Sequence, residues 1–232
     1  MTGSAASARS LYVYAITQRR DDAPPQRAGL DGAPLEVVAH RELAAVVSAH
    51  DRARIDPSEA ALWEHEAVCE ALLAAGAVLP AKFGLMFSDE GKLLAELAAR
   101  YEELAAALQR VSGRVELGVR VLRRGAPDSE TSAPRGGTGT DYLTARLAES
   151  REAKELADAV HGTLAELAVD SRRDVLLTPS FLLSAAYLVD RDRTNAFVER
   201  IEALDQEHAE ARILCTGPWP PYNFVTGATP GE

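Results

Sequence analysis

Phe181–Thr216 reads FLLSAAYLVDRDRTNAFVERIEALDQEHAEARILCT, and its hydrophobic rhythm changes twice. Phe181–Val189 is an apolar run of strand length, interrupted at Ser184. Between Thr194 and Glu207 the apolar positions Phe197, Val198, Ile201 and Leu204 recur at spacings of three and four, which marks one face of a helix. Ala211–Thr216 returns to a short apolar strand. The stretch is therefore a strand, a helix and a strand.

Working upstream, Arg114–Leu122 alternates, with Val115, Leu117, Val119 and Val121 on one face of a strand. A helix is expected over about Asp141–Val169, with Leu156, Val160, Leu164 and Leu167 as its apolar stripe. Asp174–Thr178 reads as a further strand, and Pro179–Ser180 as the turn after it. The order is βαββαβ, the split βαβ of a ferredoxin-like fold, in which both helices lie on one face of an antiparallel sheet. Residues 124–140, rich in Gly, Pro, Ser and Thr, read as a mobile insert.

The first half is a different α+β unit, a small mixed sheet with two helices. Leu11–Thr17, Leu35–Ala39 and Leu43–Ser48 read as strands, with His40–Arg41–Glu42 as a turn. Asp56–Pro57–Ser58–Glu59 is a helix start, with Asp56 as cap and Glu59 at the capping-box position. That helix ends at Gly76. Val78–Leu79 and Phe83–Phe87 read as strand, and Asp89 opens a second helix on Leu93, Leu97, Tyr101, Leu104 and Leu108. The layout is thus two domains, 11–112 and 113–225, between disordered tails at 1–10 and 226–232.

Composition narrows the functional classes. The 232 residues are 47% hydrophobic and 26% charged, ample for a packed core. A net charge of −10 argues against nucleic acid and against anionic membrane surfaces. No apolar run approaches the about 20 residues that span a bilayer. Met1–Ser10 lacks the apolar core of a secretory signal, and the two cysteines, Cys69 and Cys215, make no disulfide framework. A soluble cytoplasmic protein is expected.

The chain closes on Cys215–Val225, CTGPWPPYNFV. Its three prolines rule out a helix or an inner strand and predict a stiff, extended hook over 216–225 that presents Trp219, Tyr222 and Phe224. The hook either folds back on the protein's own core or faces a partner, and the two roles are compatible. TGPWPPYNF closely resembles the C-terminal signature of the gas vesicle accessory proteins of the GvpL/GvpF family. The likeness extends to Leu11–Thr17 (LYVYAIT), Gly29–Ser48, Val78–Phe87 (VLPAKFGLMF), Gly139–Leu143 (GTDYL) and Ala186–Arg191 (AYLVDR), in the family's order. It implies two α+β domains, the second a modified ferredoxin-like one, and a role at the gas vesicle.

Signs of catalysis are weak. His65 and Cys69, four apart on a helix, have the spacing of half a metal site, but His65 also falls on the apolar stripe with Val68 and Leu72. Arg135–Thr140, RGGTGT, lacks the lysine of a phosphate loop and reads as linker and helix cap. The carboxylates follow solvated helix faces. No catalytic, metal or cofactor-binding residue is assigned. The candidate partner-binding residues are Trp219, Tyr222 and Phe224 in the hook, with Lys82, Phe83 and Phe87 on an apolar edge. The resemblance implies contact with the small, very apolar gas vesicle shell protein and with other accessory proteins. The competing reading is a small-molecule binder or enzyme with a pocket between the domains, near Phe83 and Trp219.

Overall fold

The computed structural model describes residues 9–20, 27–124, 139–174 and 181–225. Residues 1–8 of the tail expected at 1–10, the tail at 226–232, most of the insert and residues 175–180 lie outside these residues, and Ser10, expected in the tail, opens a strand. The chain divides into two compact units, Met1–Arg114 with Trp219–Glu232, and Val115–Pro218. Trp219–Val225, expected to finish the second domain, thus groups with the first.

In the first unit, β1 (Ser10–Gln18) is the spine of a five-stranded sheet. It pairs on one side with β3 (Leu43–His50), which forms a hairpin with β2 (Glu36–His40). Helix α1 (Glu59–Ala75) follows, and Ser58 rather than Asp56 caps it, its hydroxyl accepting from the Ala61 N–H at 3.1 Å. On the other side β1 pairs with β4 (Val78–Pro80) and β5 (Met86–Phe87). Every pairing is antiparallel, so the sheet is not mixed. The strand expected from Phe83 begins only at Met86. Gly84, at φ +90°, turns the chain out so that its N–H reaches the Tyr12 hydroxyl at 3.2 Å.

The single helix expected after Asp89 is two, α2 (Glu90–Ala99) and α3 (Tyr101–Val111), broken at Arg100 (φ −111°, ψ 16°). The stripe survives, with Leu93, Leu97, Leu104 and Leu108 buried, but Tyr101 leaves it. Its ring lies 3.8 Å beneath the Arg41 guanidinium of the β2–β3 turn. The sheet is covered on both faces. Tyr12 and Tyr14 look toward α1, while Val13 and Ile16 look toward α2 and α3. The reversal is made by a bulge at Tyr14, between the pairs Val13–Val47 and Ala15–Val46.

The second unit runs β6 (Arg114–Arg123), α4 (Gly139–Ala165), β7 (Asp170–Asp174), β8 (Phe181–Asp190), α5 (Thr194–Glu207) and β9 (Ala211–Trp219). Its sheet has the order β7–β8–β6–β9. Both helices feed one core. Ala157, Val160 and Leu164 of α4 and Phe197, Ile201 and Leu204 of α5 pack on Leu117, Val119, Val121, Tyr187 and Val189. Helix α4 stops four residues before the expected end, so Leu167 is 37% exposed and contributes no stripe.

Among the described residues β7 covers Asp170–Asp174; of the strand expected at Asp174–Thr178 only Asp174 is described, and it lies in β7. Its sequence is DSRRD, and Arg172 and Arg173 are held by Asp170 at 3.3 Å and Asp158 at 2.7 Å. A charged edge strand carries no hydrophobic signal. β9 in turn extends through Pro218, an edge position that tolerates proline. Replacing Leu164 with alanine is expected to cost about 2–5 kcal/mol in urea unfolding, and the same change at Leu167 less than about 1 kcal/mol.

Candidate functional site

The most concentrated chemistry lies under α1. Tyr12 and Tyr14 are fully buried aromatics whose hydroxyls must find partners. Tyr12 Oη lies 2.9 Å from His65 Nδ1, and His65 Nε2 lies 3.1 Å from the Ala81 carbonyl. A carbonyl only accepts, so Nε2 carries the proton and Nδ1 accepts from Tyr12. The Tyr12 oxygen then accepts from Gly84 N–H. Burial pushes the imidazole pKa down to about 4 against the opposing pull of the Ala81 bond, so His65 is neutral.

His65 and Cys69 do meet, Sγ to Nε2 at 3.6 Å. The thiol nonetheless points to the Tyr14 carbonyl at 3.4 Å, and burial pushes its pKa up to about 12. Both His65 nitrogens are engaged and the thiol stays protonated, so the pair is not poised to hold a cation. Among the described residues no third ligand joins them.

A second chain runs from Tyr14. Its oxygen accepts from Leu30 N–H at 2.7 Å, and Ser48 Oγ lies 2.8 Å from Tyr14 Oη and 2.8 Å from His50 Nε2. Asp31 Oδ2 stands 3.9 Å from His50 Nδ1. A serine, a histidine and an aspartate in line have the outline of a nucleophilic triad, but Ser48 is 0% exposed. A substrate carbonyl has no route to it. The chain serves to satisfy Tyr14, and Gly29 belongs to it sterically, because a Cβ there would stand 2.3 Å from Tyr14 Oη.

The hook closes against the same helix. After Trp219 the chain turns through a 3₁₀ segment, Tyr222–Phe224, rather than staying extended. The ring of Phe224 is 1% exposed, and Pro220 and Pro221 are buried. Tyr222 Oη donates to Glu66 Oε2 at 2.8 Å. Burial raises the Glu66 pKa against the opposing pull of that bond, and its Oε1 is buried without a partner. Trp219 is half-buried. Phe224, then, is a core residue, and Tyr222 a tether.

The other candidates fall in two places. Lys82 is exposed, and Phe83 is half-buried with its ring 5.8 Å from those of Tyr12 and His65. Phe87 lines an apolar cleft with Val13, Leu79, Leu93, Leu97 and Leu104, and Arg100 and Glu96 stand among the lining residues. The sequence reading missed Trp63, which is 65% exposed on α1 beside Leu62, 47% exposed. Its signal was its place off the stripe of His65, Val68, Cys69 and Leu72.

The sequence matches the gas vesicle synthesis protein GvpL/GvpF family over residues 10–226. The chain belongs to that family. Gas vesicle protein F2 of Halobacterium salinarum is 32% identical, covering 93% of this chain and 91% of its own. Gas vesicle protein L of a Streptomyces species is also 32% identical, over 94% and 93%. An F-type and an L-type relative thus stand equally near. The crystal structure of GvpF from Anabaena shares the fold at a TM-score of 0.80 with 20% identity, covering 94% of this chain and 96% of that one. GvpF from Microcystis aeruginosa follows at 0.77 with 19% identity. As a GvpL/GvpF protein, the chain is a gas vesicle accessory protein. No helix among the described residues is long and apolar enough to cross a membrane.

Two outcomes test this geometry. Tyr222→Phe strips the buried Glu66 carboxyl of its donor and is expected to cost about 1–3 kcal/mol; pairing it with Glu66→Leu should recover much of that loss in a double-mutant cycle. The folded pKa of His65 lies below the unfolded value of 6.5. The unfolded chain therefore takes the proton first, and stability present above pH 6.5 is lost as pH falls toward 4. Between pH 7 and pH 5 the loss from His65 is about 2 kcal/mol in urea unfolding, and His65→Gln should flatten that slope.

Proposed function

We propose that this protein binds the small apolar gas vesicle shell protein, together with other accessory proteins, during vesicle assembly, acting from the cytoplasm. Family membership across residues 10–226 carries the reading. The shell protein that the family resemblance implies is apolar enough to aggregate unless its surface is covered. Segment 82–87 and the cleft beside Phe87 offer a seat for such a surface, and the net charge of −10 keeps the complex soluble. The sheet order β7–β8–β6–β9 and the element order βαββαβ support reading the second unit as ferredoxin-like. A ligand site built on Lys82 and His65 finds no support, because Lys82 is exposed while both His65 nitrogens are engaged inside the core.

The test is co-purification with the small gas vesicle shell protein of the same organism, with melting curves for every variant. The wild type is expected to retain it, Phe87→Ala and Lys82→Glu to retain several-fold less while still folded. Failure of the wild type to retain any shell protein contradicts direct binding.

A further inference from the structure

Trp63 is the largest kind of side chain, and 65% of it is left in solvent with Leu62 beside it. Helix geometry explains why the core does not take it. At about 100° per residue, Trp63 lies roughly 200° around α1 from His65, on the side away from the sheet. Single exposed apolar residues need no explanation, but this pair has distinctive surroundings. Over its 17 residues α1 carries Glu59, Glu64, Glu66 and Glu70 and no lysine or arginine.

Glu59, Glu66 and Glu70 stand four before, three after and seven after Trp63, and so share its face. Glu66 is occupied by Tyr222, which closes that side of the face with the hook. Glu64 accepts from the Asp31 N–H at 3.1 Å, and the neighbouring Arg52 and Arg54 are paired with Asp31 and Asp56. Glu59 and Glu70, both exposed, are left flanking an apolar centre.

We propose that Leu62 and Trp63, between Glu59 and Glu70, form a docking face for a basic amphipathic helix of another protein. Glu66, held by Tyr222, stands between Trp63 and Glu70 on this face, so the partner helix crosses α1 at Trp63 rather than running along it. An apolar stripe on that helix covers Trp63 and Leu62, and lysines or arginines at its margins meet the two carboxylates. Aromatic anchors ringed by charge are the usual centre of binding energy in such contacts. A second copy of this chain is the wrong occupant, because it sets the same glutamates against themselves. The face lies on the far side of α1 from the core and is separate from the Phe87 cleft.

The probe is a synthetic peptide of leucine and lysine at helical spacing, with a leucine–glutamate peptide as its counterpart, followed by calorimetry and tryptophan fluorescence. The basic peptide is expected to bind and the acidic one not to bind. Trp63→Ala should weaken binding at least about tenfold, and Glu59→Lys with Glu70→Lys comparably, with unchanged melting in both. Binding should also fall with added salt. The proposal is overturned if the basic peptide fails to bind, if Trp63→Ala binds like the wild type, or if both peptides bind alike. A Trp63-dependent dimer in sedimentation, without peptide, would equally overturn it by making a second copy the occupant.

Discussion

Two tyrosines on the central strand set the constraint from which the first unit follows. Tyr12 and Tyr14 place hydroxyls where water does not reach, and each must be satisfied from the chain itself. His65 answers Tyr12 only as a neutral ring, with its other nitrogen on the Ala81 carbonyl. That requirement fixes the rotation of α1 over the sheet. It also explains why the strand after Pro80 breaks, since Gly84 must turn out to donate to Tyr12. Tyr14 draws in Leu30, Ser48 and a glycine at position 29. Groups that suggest catalysis or metal binding in the sequence are thus consumed by packing.

Once α1 is fixed, its other faces take their roles. Glu66, one residue past His65, lies at the margin where Tyr222 ties down the C-terminal segment. Trp63 is turned to solvent by the same rotation. The aromatic residues that look most like a docking surface in the sequence are therefore largely internal, while Trp63, more exposed than any of them, lies in a helix that looks ordinary.

Much of this was legible beforehand. The alternation of β6 and the three-and-four spacing of α5 are strong periodic signals, and α5 runs over Thr194–Glu207 as its pattern predicts. What the sequence concealed has a physical reason in each case. Over its described residues Asp170–Asp174, β7 is held by charge pairs on an edge and has no apolar run to read. The break at Arg100 leaves the leucine stripe intact, so periodicity alone reads through it. Asp56 and Ser58 are both able to cap, and only the backbone decides between them. The burial of Phe224 depends on a long-range contact that no local pattern encodes. The family was legible because its motifs are spread along nearly the whole chain, whereas the partner surface leaves no comparable pattern.

Amide hydrogen exchange on the protein alone and after addition of the shell protein tests the proposed division of labour between hook and cleft most directly. The account predicts that the amides of Tyr222 and Phe224 are already protected in the free protein, and that binding adds protection chiefly over residues 81–87. Rapid exchange at Tyr222 and Phe224 in the free protein, slowed only when shell protein binds, would contradict it and make the hook the docking element.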